Sequence, residues 1–135
     1  MKKVLLPIDG SVRSLRTIDM VKQTYSPDTV EVTLLTVLPD QMHIDGQFTR
    51  DRMARKAEQE LATFAQLLLG WTVKTALLWG SPGPEIVHFA REGKFDVLVM
   101  TRSTRGPFQK LGSVATYLVR NAQFLDLIIM RENEA

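Results

Sequence analysis

The sequence predicts an α/β protein built on one open parallel sheet of five strands with helices on both faces. Two observations carry this. Short apolar runs alternate along the chain with segments of helical period, in the order βαβαβαβαβ. The strand runs are also apolar almost throughout, as expected when both faces of a sheet are buried. Strict alternation calls for right-handed crossovers between parallel strands. At 135 residues and 44% hydrophobic, the chain suits a single domain over residues 1–135.

Each element has its own signal. Lys3 to Ile8 is a compact apolar run and reads as the first strand. Ser11 is placed to cap the next segment, where Val12, Leu15, Ile18, Val21 and Tyr25 recur at helical spacing. Ser26-Pro27-Asp28 is a turn. Val30 to Leu38, rich in β-branched residues and leucine, is the second strand. A polar loop over Gln41 to Gln47 leads to the longest helix, Phe48 to Leu69. Met53, Ala57, Leu61, Phe64 and Leu68 form its apolar stripe, and Gly70 stops it. Trp71 to Trp79 is the third strand. Gly80-Ser81-Pro82-Gly83-Pro84 opens a helix with proline in the first turn, where a missing N–H costs little. Ile86, Val87 and Ala90 face inward and Gly93 ends it. Phe95 to Met100 is the fourth strand, and Thr101 to Leu111 is a loop. Gly112-Ser113 begins the last helix, which runs to about Asn121, and Leu125 to Met130 is the fifth strand.

Composition excludes several chemistries. The chain has no cysteine, which removes disulfides, thiolate zinc sites, iron–sulfur clusters and a cysteine nucleophile. With 17 basic and 15 acidic residues the formal charge is +2, too small and too dispersed for a nucleic-acid binder. The apolar run after Met1-Lys2-Lys3 meets Asp9-Gly10-Ser11 too early for a signal peptide, and no run is long enough to span a membrane. The expected location is the cytoplasm. His43 and His88 lack metal-like spacing, and no Walker loop, dinucleotide fingerprint or nucleophile elbow is present. The expectation is a protein that is not an enzyme. Trp71 and Trp79 bracket the third strand and read as packing, edge or interface residues.

In an open parallel sheet, ligands bind beyond the carboxyl ends of the strands. Two features stand there. Asp9 ends the first strand, where its carboxylate can take a ribose hydroxyl or a base amine, or can simply form an Asx turn. Gly112-Ser113 opens a helix, where free N–H groups, the dipole and a hydroxyl suit an anion, or where Ser113 serves as an ordinary cap.

An ordered set of segments resembles the universal stress protein family across nearly the whole chain. These are Lys3-Val4-Leu5-Leu6-Pro7-Ile8-Asp9-Gly10-Ser11, then Gly80-Ser81-Pro82 with Glu85-Ile86 and Ala90, then Asp96-Val97-Leu98-Val99-Met100, then Gly112-Ser113-Val114 with Leu118-Val119-Arg120-Asn121-Ala122. The resemblance implies a Rossmann-like sheet of order 3-2-1-4-5 and a homodimer joined through the C-terminal strand. It also implies a stress-response or signalling role and an adenine nucleotide site. The residues that the resemblance brings to that site are Pro7, Asp9, Val37, Met100, Thr101, Thr104, Gly112, Ser113 and Val114.

Family members that bind ATP carry a Gly-x2-Gly-x9-Gly-Ser/Thr motif after the fourth strand. Here Thr101 and Thr104 stand at the first two glycine positions, and only residues 105 to 111 separate Thr104 from Gly112. Glycine lets backbone approach a phosphate closely, and threonine resists positive φ. Arg102, Arg105 and Lys110 can supply charge instead. The leading expectation is therefore a signalling module with a degenerate nucleotide loop, for which ATP is the one candidate cofactor and otherwise there is none. Rival readings are an ATP switch or weak ATPase, and a scaffold working through the fifth strand's edge.

Overall fold

The computed structural model describes residues 1–40, 46–102 and 112–131. The elements run β1 (Lys2–Pro7), α1 (Arg13–Thr24), β2 (Val30–Leu38), α2 (Gly46–Gln66), β3 (Thr72–Trp79), α3 (Pro82–Glu92), β4 (Val97–Thr101), α4 (Ser113–Asn121) and β5 (Asp126–Met130). The strands form one sheet in the order β3-β2-β1-β4-β5. Every pairing is parallel, with Leu5 opposite Thr33 on one side and Leu98 on the other. The fold and its strand order are those the sequence and its resemblance imply.

The period of two along each strand divides the core between two faces. Val4 and Leu6 point to one side with Val32, Leu34, Val97 and Val99, and are covered by Ile18 and Val21 of α1 and by Leu61 and Phe64 of α2. Leu5 points to the other with Leu35, Leu98 and Met100, covered by Ile86, Val87 and Ala90 of α3 and Ala115 and Leu118 of α4. Val4, Leu5 and Leu6 are wholly buried, so β1 serves both layers. Fully burying each leucine contributes about 1.5–3 kcal/mol. On the second face Gly83 sits against the Tyr117 ring, where an added Cβ would meet ring carbons at 2.8 Å. This small residue lets the start of α3 pack closely on α4.

Helix α1 departs from its sequence reading. Val12 is 81% exposed and Leu15 is 40% exposed, while Ser14 and Thr17 are buried beside Ile18 and Val21. Val12, not Ser11, holds the cap position, and no side chain caps the helix. The cause is helical geometry: a strict three-residue interval back from Ile18 falls about 60° short of a full turn at each step, so Leu15 and Val12 drift off the buried arc that Ser14, Thr17, Ile18 and Val21 share. Ser14 and Thr17 tolerate burial because their hydroxyls find partners, Asp9 for Ser14 and the Ser14 carbonyl for Thr17.

Smaller differences lie at element ends. Gly46 and Gln47 belong to α2, and that helix gives way after Gln66 to a turn with three-residue spacing, where Leu67 N–H donates to Phe64 O. Thr101 is the last residue of β4 and not the first of a loop. Trp71 packs against the first core cluster, and Trp79 lies half-buried under the Arg50 guanidinium at 4.2 Å.

Candidate functional site

The β1 and β4 strands lie side by side although α1 to α3 separate them in sequence. A cavity of about 350 Å³ opens beyond their carboxyl ends, bounded also by β2 and by the first turns of α1, α3 and α4.

The first wall is the turn from β1 to α1. Asp9 organises it. Its Oδ1 accepts from Ser11 N–H at 3.0 Å, which closes an Asx turn. Its Oδ2 accepts from Arg13 Nη2 at 2.9 Å. Its backbone N–H donates to Ser14 Oγ at 3.4 Å. Burial pushes the Asp9 carboxyl up, but hydrogen bonds from Ser11 and the Arg13 guanidinium outweigh it and hold the pKa below the ordinary value. Asp9 is therefore an anion at neutral pH. Gly10 takes φ +80°, the left-handed region, and the Glu60 carboxyl carbon lies 2.6 Å from where a Cβ would sit. This explains glycine after Asp9 on backbone grounds.

The second wall comes from β4 and α4. Met100, Thr101 and Arg102 lead off the sheet, and Gly112, Ser113, Val114 and Ala115 face the cavity from the other side. Gly112 occupies the cap position with extended backbone, and Ser113 is the first helical residue. No side chain caps α4, so Ser113 is not the ordinary cap that one sequence reading made it. The third wall is apolar. It is made by Leu35 and Val37 of β2 and by Pro82 and Ile86 of α3.

Pro7, Asp9, Val37, Met100, Thr101, Gly112, Ser113 and Val114 all line this one cavity. Thr104, Arg105, Lys110 and His43 fall outside the described residues. The cavity also gathers residues that sequence reasoning did not assign to a site, notably Arg13, Ser14, Pro82 and Ile86. Arg13 had a legible signal, since a basic residue four positions after an acidic one meets it across a helical turn. Pro82 and Ile86 read only as helix start and core. Among the described residues no cluster of three or more His, Cys, Asp or Glu side chains is arranged to hold a metal, and His88 is exposed. No helix among them is long and apolar enough to cross a membrane.

The chain matches the universal stress protein family over residues 1–130. It belongs to that family. A universal stress protein of Methanocaldococcus jannaschii is 28% identical, with 96% of this chain and 82% of that protein covered. Among solved structures, the one described as hypothetical protein MJ0577 superposes with a TM-score of 0.89 at 22% identity, covering 99% of this chain and 98% of the other. The universal stress protein from Archaeoglobus fulgidus in complex with dAMP gives a TM-score of 0.70 at 18% identity, with 98% of each chain covered. A family protein from Arabidopsis thaliana with AMP bound gives 0.69 at 18% identity, covering 98% of this chain and 93% of the other. At these identities the structural likeness establishes the fold.

Proposed function

We propose that this universal stress protein is a cytoplasmic stress-response module that reads an adenine nucleotide in the cavity between β1 and β4. The observation that carries the reading is the division of the cavity's lining. Its apolar wall of Leu35, Val37, Pro82 and Ile86 suits a base, and its polar end carries Asp9, Arg13, Arg102 and Ser113. Relatives of the same fold hold dAMP and AMP, which supports an adenine ligand here. The loop after β4 has threonine where ATP-binding members have glycine, and it is shorter, so a single phosphate suits the site better than three. Among the described residues the carboxylate at the cavity, Asp9, is already engaged by Ser11 N–H and the Arg13 guanidinium, which favours a sensor over a catalyst.

Mass spectrometry of the denatured purified protein tests this reading. Co-purified AMP, or micromolar AMP binding by titration calorimetry with ATP weaker, supports it. Tight ATP binding would sink the degenerate-loop reading in favour of an ATP switch. No binding of any adenine nucleotide would sink both.

A second observation supports dimerisation. β5 is an edge strand, and its apolar Leu127, Ile128, Ile129 and Met130 are only half-buried. An edge of this kind invites pairing with another strand, and a second copy of β5 is the partner we propose. Sedimentation velocity at micromolar concentration should give a dimer, and a monomer would rule this pairing out.

A further inference from the structure

We infer that Arg13 is a specificity residue that lets the cavity accept a phosphorylated nucleoside beside the ionised Asp9. This rests on the nucleotide reading above. Asp9 poses a problem for any anionic ligand. Its side chain is 58% exposed at the cavity and carries a full negative charge, which repels a phosphate. Arg13 offsets that charge directly, with Nη2 2.9 Å from Oδ2, and its side chain is only 23% exposed. Arg13, like Asp9, lines the cavity.

Position tells which part of a ligand it meets. The base-compatible wall belongs to β2 and α3. Arg13 follows β1 and Arg102 follows β4, and these strands are neighbours on the polar side. A nucleotide with its base against Val37 and Ile86 therefore directs its phosphate toward Arg13, Arg102 and Ser113. A planar guanidinium holds phosphate oxygens in a fork that a lysine ammonium does not reproduce. On binding, a phosphate oxygen takes the place of Asp9 Oδ2 as partner of Arg13. Asp9 is not stranded by the exchange, because Ser11 N–H at 3.0 Å and Ser14 Oγ at 3.5 Å still contact Oδ1. Its free lone pairs then face the ribose hydroxyls. Two arginines thus supply the attraction that glycine backbone supplies where the phosphate loop is intact.

The test compares AMP with adenosine on the wild type, Arg13→Gln and Arg13→Lys by titration calorimetry. In the wild type AMP binds more tightly than adenosine. Arg13→Gln should lower the AMP-to-adenosine affinity ratio by about tenfold or more, the size of one lost charge-assisted contact. Arg13→Lys should restore part of that ratio, because it keeps the charge and loses the fork. Added salt should weaken AMP binding to the wild type more steeply than to Arg13→Gln. An unchanged ratio in both variants overturns the inference and leaves the nucleotide reading standing. A wild type that binds neither ligand overturns the nucleotide reading and the role of Arg13 with it. A fall in adenosine affinity equal to that in AMP affinity shows a structural role for Arg13 and also overturns the inference.

Discussion

The two helix starts that face each other across the cavity both lack a side-chain cap, but they differ in the side chains gathered around them. At β1–α1 the protein satisfies its own polar groups: Ser11 N–H, Ser14 Oγ and Arg13 all converge on Asp9. At α4 no side chain caps the helix, and Ser113 is exposed. The turn before α1 is held by its own side chains, whereas Gly112 at the cap of α4 has no side chain with which to do so. We propose that Asp9 and its neighbours serve both stability and recognition, and that Gly112-Ser113 serves recognition with little share in stability. Substitutions at the two ends should separate these roles.

The largest stability effect is expected at Gly10→Ala. Forcing an alanine to φ +80° costs about 1–2 kcal/mol, from the crowding of Cβ against the following carbonyl. The approach of Glu60 adds little, because the far end of a flexible side chain can move aside. Chemical denaturation should show the loss in Gly10→Ala, with Glu60→Ala restoring only a minor part. Substantial rescue by Glu60→Ala would make the α2 contact the real constraint on this turn.

Asp9→Asn comes next. Asparagine keeps the Asx turn and loses the ion pair with Arg13. The pair is exposed on the Asp9 side, so the loss at neutral pH should be a few tenths of a kcal/mol, up to about 1. The pH dependence has a definite sign. The folded Asp9 pKa lies below the unfolded one. Its contribution is full above the unfolded value of about 3.9 and is lost as the pH falls through the lower folded value. The stability difference between wild type and Asp9→Asn should therefore close below about pH 4. A difference that persists in acid would assign the effect to packing.

The sheet was legible in the sequence because burial on both faces writes near-continuous apolar runs, as in Val4-Leu5-Leu6 and Val97-Leu98-Val99. The face of α1 was not. Val12 and Leu15 continue a three-residue interval that drifts around the helix, and the arc that faces the sheet carries the polar Ser14 and Thr17, which send no apolar signal. The site was legible where it rests on strand ends, at Pro7, Asp9, Val37 and Met100. It was not legible where residues reach in from α3, at Pro82 and Ile86, since their aim depends on crossing angles that sequence does not encode locally.

Ser113→Ala should have the smallest effect on stability and thereby sharpen the comparison most. A serine that caps a helix typically costs about 1 kcal/mol on replacement by alanine. Ser113 lies one residue inside the cap position, makes no cap bond and is exposed, and alanine is the better helix former. The thermal midpoint should therefore stay within about 1–3 °C of the wild type, the span of a change under 0.5 kcal/mol in a domain of this size. Under the nucleotide reading the same variant should weaken AMP binding, because its hydroxyl stands at the polar end of the cavity beside Gly112. Equal stability with weaker binding would mark α4 as a recognition element. A clear drop in stability would mean that Ser113 holds α4 as Asp9 holds α1, and the two helix starts would no longer differ in kind.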